Sequence, residues 1–200
     1  MNRQDQRPII GVALSFILWY IVFLMEIWGS FWYRVTLASL ILAVYAYLSG
    51  EGDQIITFQA MDALKGIVAG LALYASFFIG FNIFQPLLKG GAESVYLFRS
   101  EIPLIVPAVL LLVTSFCEEY FWRYYTQGAV VRKYKMKGIV VTSVLYAAIH
   151  LPTMNLPLTA AALIAGAFWG ILYEYTGSLW LVVFSHIVWT EMIFVFLPLL

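Results

Sequence analysis

The stretch TSFCEEYFWRYYTQ, residues 114–127, places two adjacent glutamates and an arginine directly after the apolar run IPLIVPAVLLLV, residues 102–113. A charged side chain in the middle of a bilayer costs about 2.5–3.5 kcal/mol on insertion scales. Glu118 and Glu119 therefore need a partner, a proton or a function if this segment lies in a membrane. The rest of the sequence indicates that it does.

The composition of the whole chain is that of a membrane protein. Of its 200 residues, 63% are hydrophobic and 11% are charged, whereas a soluble domain has about 45–50% apolar and about 25% charged residues. Eleven basic and eleven acidic residues cancel, which gives no electrostatic indication of a nucleic-acid partner. The partner that the composition predicts is the lipid bilayer.

Seven apolar runs are candidates for membrane helices, each of which needs about 20 mostly apolar residues. Helices satisfy their own backbone hydrogen bonds in lipid, and the runs lack the alternation of barrel strands. We predict an all-α fold: a polytopic transmembrane bundle of about seven helices, within a range of about six to eight, in a single membrane domain over residues 1–200. The predicted helices are Ile9–Ile27, Phe31–Leu48, Leu64–Leu88, Ile102–Tyr120 or somewhat further, Gly138–His150 or further, Leu158–Tyr173 and Leu179–Leu200.

Basic residues predict the orientation of the bundle. The strongest basic cluster lies between the fourth and fifth predicted helices, so it falls on the same side as Arg3 and Arg7 near the N-terminus. Short loops rich in Lys and Arg face the cytoplasm. We therefore predict a multi-pass protein of the cell membrane with a cytoplasmic N-terminus. The cluster, called the basic cluster below, consists of Arg132, Lys133, Lys135 and Lys137.

Arg123 lies four residues after Glu119, which is about one helical turn and the same helix face. An ion pair between these two side chains is predicted. Glu118 points about 100° away around the helix and has no partner within its own segment. A buried carboxylate that is left unsatisfied, without such a partner, is suited to taking a proton from water and returning it. The alternative is that the charged residues form only a structural clamp.

Both histidines of the chain stand in apolar runs, His150 in VLYAAIHLP and His186 in VVFSHIVWTE. Glu118 and His150 are fourteen and thirteen residues from the nearer end of the basic cluster, which places both roughly 20 Å from it at about 1.5 Å per residue. His186 lies twelve residues beyond Glu174, at a turn predicted on the same side. A single histidine is often a packing residue, but several ionisable groups at matched depth predict an intramembrane polar site with a function.

Glutamate and two histidines support hydrolysis in either of two ways. They can activate water and stabilise an oxyanion, or His150 and His186 can bind Zn²⁺ with a water molecule in the open position. The spacing is not the His-Glu-x-x-His of common zinc proteases. The cofactor is thus either Zn²⁺ or none.

Three short motifs in this order resemble the core motifs of the CAAX prenyl protease and bacteriocin-processing family, also called abortive-infection proteins. Members of that family are intramembrane endopeptidases. The resemblance covers residues 103–198, as a protease core, whereas the helices within residues 1–101 match nothing specific. The motifs are Glu118-Glu119-x-x-x-Arg123, Tyr146-x-x-x-His150 and Ser185-His186.

The resemblance implies a role for each motif residue. Glu118 is implied to activate the attacking water, and Glu119 to pair with Arg123 and hold the helix. His150 and His186 are implied to orient the water and stabilise the tetrahedral oxyanion, or to bind a metal. The implied substrate is a membrane-anchored or prenylated protein, or a protein or peptide precursor with a C-terminal signal.

Two positions depart from the family pattern. Tyr146 stands where Phe is common, and Thr190 stands where the last motif usually has Asn or Asp. The Thr190 hydroxyl can donate to an oxyanion but is a poor metal ligand. This departure favours the alternative function, a non-catalytic family member acting as an immunity, scaffold or regulatory membrane protein. A transporter is less favoured, because no inverted repeat or pair of broken helices is visible.

Overall fold

The computed structural model describes residues 3–25, 28–50 and 56–200, with side chains from Gln6 onward. The predicted end of the first helix at Ile27, the side chain of Arg3 and most of the loop at residues 49–54 lie outside the described residues. The described residues are mainly helical and contain no strand, so the predicted all-α fold is confirmed. Six helices among them are long and apolar enough to cross a membrane, namely Gln6–Leu24, Phe31–Ser49, Ala60–Ile83, Ile105–Tyr134, Leu156–Thr176 and Leu179–Phe196.

The helices follow one another with short connections. The α-helices of the described residues are α1 (Arg3–Leu24), α2 (Phe31–Ser49), α3 (Ala60–Ile83), α4 (Gln85–Tyr96), α5 (Ile105–Glu119), α6 (Gly128–Tyr134), α7 (Lys137–Ala148), α8 (Leu156–Thr176) and α9 (Leu179–Glu191). A π-helical segment, Tyr120–Gln127, joins α5 to α6, and a second, Met192–Phe196, follows α9. Short 3₁₀ turns, Leu97–Ser100 and Leu151–Thr153, follow α4 and α7.

Prolines explain two boundaries that differ from the prediction. The run Leu64–Leu88 was predicted as one helix, but α3 ends at Ile83 and α4 begins at Gln85 with Pro86 in its first turn. Proline lacks an N–H and clashes with the preceding turn, so it starts a helix and does not continue one. The last helix was predicted to reach Leu200 but ends at Phe196, because the residue before Pro198 is biased away from helical conformation.

The helix predicted at Gly138–His150 forms, as α7, but it does not span the membrane. It has 12 residues and a length of about 18 Å, whereas the hydrocarbon core is about 30 Å thick. A Cβ atom at Gly166 of α8 would lie 3.7 Å from the backbone of Ser143, so α7 and α8 approach each other closely. Because α7 ends partway through the bundle, it delivers His150 to the interior.

The N-terminal end of α1 lies at the same end of the bundle as the basic cluster. The Tyr45 hydroxyl donates to the backbone oxygen of Arg7 at 2.8 Å. The Tyr45 ring lies 6.1 Å from the ring of Tyr125, nine residues before the end of α6 at Tyr134. The start of α1 and the end of α6 therefore lie at the same end of the bundle, and the cytoplasmic orientation of that end stays a prediction.

Glycines bring α3 against α9, which carries His186. A Cβ atom at Gly66 would lie 2.5 Å from the backbone oxygen of Leu181, and one at Gly70 would lie 2.6 Å from that of Ser185. Both distances are too short for any side chain, and the obstructing atoms are backbone. Small residues at such contacts let membrane helices pack closely.

We expect Gly70→Ala to lower the free energy of unfolding by about 1–3 kcal/mol, the usual cost of overpacking, because the added methyl group pushes α9 away from α3. Thermal unfolding in detergent measures the effect. Gly80→Ala is the matched control on the same helix, since a Cβ atom there meets nothing within 4 Å. Equal melting temperatures for the two variants would contradict the close contact.

Candidate active site

Glu119 and Arg123 form the ion pair that their spacing predicts. Arg123 Nε lies 3.1 Å from Glu119 Oε2, and both side chains are fully buried. The guanidinium carbon lies 5.3 Å from the centre of the Tyr146 ring, within the range of a cation–π interaction. The pair lies where α5 passes into the π-helical segment, in the middle of the continuous helix Ile105–Tyr134.

His186 is fixed by a carboxylate on its edge and an indole on its face. Its Nδ1 lies 2.7 Å from Glu119 Oε1, and because an ionised carboxylate only accepts, Nδ1–H is the donor. The Trp169 ring stacks on the imidazole with ring centres 3.9 Å apart and planes 20° apart. Trp169 is itself held by a hydrogen bond from Nε1 to Ser185 Oγ at 3.2 Å. Nε2 of His186 is the nitrogen left for a ligand.

Glu118 has a partner that the sequence did not predict. The Tyr146 hydroxyl donates to Glu118 Oε2 at 2.8 Å. Glu118 has no ion-pair partner on its own helix, as predicted, but the interpretation that it is left unsatisfied is corrected by this bond from α7. The bond engages Oε2 and leaves Oε1 for water.

His150 is oriented in the same manner as His186, through Nδ1. That nitrogen lies 2.9 Å from the backbone oxygen of Tyr146, and because a carbonyl oxygen only accepts, Nδ1–H is again the donor. The imidazole ring packs edgewise or tilted against the rings of Trp19, Phe23 and Tyr146, at centre distances of 6.3, 5.9 and 5.4 Å. Nε2 is left for a ligand here too.

Thr190 uses its hydroxyl within its own helix. Oγ1 donates to the backbone oxygen of His186 at 2.9 Å, and it lies 3.4 Å from Ser115 Oγ. Such a bond back to the preceding turn is common for threonine in helices. Donation from Thr190 to an oxyanion, which the sequence suggested, would have to replace that bond.

One cavity of about 120 Å³ brings these groups together. Glu118, His150, His186 and Thr190 line it, and Glu119 and Arg123 lie behind its lining. A water molecule in liquid occupies about 30 Å³, so the cavity has room for water beside the carboxylate. The rest of the wall is mainly apolar and includes Trp19, Phe23, Trp32, Leu111, Ala165 and Trp169.

Sequence reasoning missed the contribution of Trp169 and that of the Tyr146 hydroxyl. Trp169 is one of seven tryptophans, and no local pattern distinguishes the one that stacks on His186. Tyr146 was recognised as a motif position, but only the packing of α7 on α5 shows that its hydroxyl reaches Glu118. The presence of a hydroxyl where Phe is common was the one available signal.

The donor groups do not fit a zinc site. Within residues 3–25, 28–50 and 56–200, no three His, Cys, Asp or Glu side chains are placed to hold a metal ion together. Glu119 is engaged by His186 and Arg123, and the hydroxyl of Thr190 is a poor metal ligand.

Comparison with known proteins agrees with the resemblance found in the sequence. Residues 100–192 match a family model described as type II CAAX prenyl endopeptidase, Rce1-like. No curated protein and no solved structure matches the chain. The matched segment contains all three motifs, so the predicted family resemblance is confirmed. Together with the six apolar helices, the match supports a multi-pass membrane protein.

Proposed function

Because residues 100–192 match the Rce1-like family model of type II CAAX prenyl endopeptidases, we propose that the chain is an intramembrane endopeptidase that uses Glu118, His150 and His186. Its substrate is a membrane-anchored or prenylated protein, or a precursor with a C-terminal signal. The observation that supports the proposal is that the carboxylate of Glu118 and the imidazoles of His150 and His186 line a single cavity. Each imidazole has its Nε2 left for a ligand.

The proposed reaction begins with water beside Glu118. Oε1 takes a proton from the water as its oxygen attacks the carbonyl carbon of the scissile peptide bond. The carbonyl electrons move onto oxygen, and the N–H at Nε2 of a protonated His186, whose positive charge Glu119 balances, stabilises that oxyanion. His150, neutral with its proton on Nδ1, accepts a hydrogen bond from the water at Nε2 and orients it. Glu118 then gives its proton to the amide nitrogen as the C–N bond breaks. The water oxygen remains in the new carboxyl group.

The ion pair has a supporting part in this proposal. Glu119 holds His186 through Nδ1 and is placed to balance a positive charge on that ring. Arg123 balances Glu119, so the carboxylate that orients His186 is not left as a lone buried charge. We further propose that the chain lies in the cell membrane with the basic cluster and the N-terminus in the cytoplasm.

The test is cleavage of a prenylated CAAX peptide by purified protein in liposomes. We expect the folded protein to release a C-terminal peptide and a zinc chelator to leave the rate unchanged, since the donors do not fit zinc. Inhibition by chelator that is reversed by added zinc would contradict the metal-free mechanism. If the folded protein cleaves neither this peptide nor other membrane-anchored C-terminal tails, the non-catalytic function is favoured. The hydroxyl of Thr190, which is engaged by the backbone of its own helix, is consistent with that function.

A further inference from the structure

Arg123 and Gln127 form a second buried polar cluster, outside the lining of the cavity. Gln127 follows Arg123 by four residues, toward the basic cluster, and both side chains have no exposed surface. Among the described residues, Nη1 and Nη2 of Arg123 and Oε1 of Gln127 have no hydrogen-bond partner. The amide nitrogen of Gln127 is satisfied, because it donates to the backbone oxygen of Gly170 at 2.8 Å.

The unpaired atoms of this cluster are chemically complementary. Arg123 offers N–H donors, and Gln127 Oε1 offers an acceptor. Glu119 Oε2 is a second acceptor, since its 3.1 Å contact with Arg123 Nε is an ion pair without hydrogen-bond alignment. A buried water molecule makes about three hydrogen bonds to groups of this kind, and buried polar atoms in folded proteins are almost always paired with protein or water.

The glycine at position 170 lets the Gln127 side chain approach the backbone of α8 closely. A Cβ atom at Gly170 would lie 2.9 Å from Gln127 Oε1, 3.1 Å from Ile139 Cγ2 and 3.7 Å from Ser143 Oγ. A methyl group would thus press directly on the unpaired oxygen. The unpaired oxygen therefore lies against the bare backbone of α8, with the Ser143 hydroxyl also near that backbone.

We propose that Arg123, Gln127 and Glu119 bind internal water, and that Gln127 is a positioning residue that holds the Arg123 guanidinium through this water. The second part rests on the proposed function. The contacts run from Gln127 through water to Arg123, from Arg123 to Glu119, and from Glu119 to His186. Without the acceptor on Gln127, Arg123 is held at one side only, and the ring of His186 is less well oriented.

The competing explanation is that Gln127 only ties two helices together through its amide N–H and Gly170. Two substitutions separate the explanations. Gln127→Met keeps the length of the side chain and removes both polar atoms. Gln127→Glu keeps acceptor oxygens but loses the amide that bonds Gly170. If Gln127 binds water, the Gln127→Glu variant keeps that role and the Gln127→Met variant loses it. If Gln127 only ties the two helices together, both variants lose the tie.

Hydroxyl-radical labelling by X-ray radiolysis of water, read by mass spectrometry, tests the water site without any substrate. Ile139 reports on it, because it is 5% exposed and lies beside Gly170; Val182, which is 0% exposed, is the control. We expect Ile139 to be oxidised several-fold faster than Val182 in the wild type and in Gln127→Glu. In Gln127→Met, and in Gly170→Ala if the Met variant does not fold, the rate at Ile139 should fall toward that at Val182. Equal rates in the wild type, or an unchanged rate in a folded Met or Ala variant, would overturn the proposed water site.

Turnover tests the positioning role. We expect Gln127→Met to lower kcat roughly tenfold, as for a lost hydrogen bond to a charged group, with little change in KM, and Gln127→Glu to restore kcat. A Glu variant as slow as the Met variant would assign Gln127 to the helix tie and overturn the positioning role. If the wild type cleaves nothing, the proposed function and the positioning role that rests on it fail, while the labelling result still decides the water site.

Discussion

Glu118→Gln is expected to reduce peptide cleavage by about a thousandfold while leaving the protein folded in the membrane. A general base contributes about 10²- to 10⁴-fold to a reaction, and glutamine cannot take the proton from water. The substitution changes little else, because a glutamine oxygen in the place of Oε2 still accepts the hydrogen bond from Tyr146. The loss is therefore expected in kcat and not in the unfolding temperature.

Cleavage of the prenylated CAAX peptide, alongside thermal unfolding of the same preparation, measures this expectation. Glu174→Gln is the matched control, because it makes the same chemical change at an exposed position near the end of α8. It should cleave at the wild-type rate. A folded Glu118→Gln protein with wild-type turnover would show that the carboxylate is not the base and would remove the central residue of the proposed mechanism.

The parts of this arrangement that follow from helix geometry could be predicted from the sequence. Residues four apart on a helix share a face, and Glu119 and Arg123 do so here. A constant rise per residue predicts depth, which is why Glu118, His150 and His186 were expected at one level. They line one cavity even though α7 is shorter than a spanning helix. The predicted depth of His150 depends only on the number of residues between it and the basic cluster. The short length of α7 therefore did not affect that prediction.

Contacts between distant helices could not be predicted in this way. The bond from Tyr146 to Glu118 and the stack of Trp169 on His186 depend on how α7 and α8 are rotated about their axes. Polar periodicity fixes rotation in a soluble helix, but here most faces are apolar and the sequence indicates no preferred side. The break between α3 and α4, just before Pro86, could have been predicted from the sequence, because proline does not continue a helix. It was missed because the apolar run around Pro86 is long enough to suggest one continuous helix.

Loss of Arg123 alone is expected to destabilise the protein more than loss of both members of its ion pair. Arg123→Met leaves Glu119 as a buried carboxylate without its arginine, with the hydrogen bond from His186 as its remaining polar contact, and breaking a buried pair from one side costs about 3–5 kcal/mol. The double variant Glu119→Gln, Arg123→Met leaves no buried charge from the pair. Its free energy of unfolding should lie closer to that of the wild type than the value for Arg123→Met does.

Denaturant unfolding in detergent for the single and double variants measures the coupling between the two residues. Lys89→Met is the control, because Lys89 and Glu93 are 3.8 Å apart with more than half of each side chain exposed, and such surface pairs contribute about 0–1 kcal/mol. Additive losses in the double variant would show that Glu119 and Arg123 do not depend on each other. The double variant is also expected to cleave poorly although it folds, because His186 has then lost the carboxylate that orients it. The double variant would thus keep most of its stability and lose its turnover. A purely structural role of the Glu119–Arg123 ion pair does not explain that result.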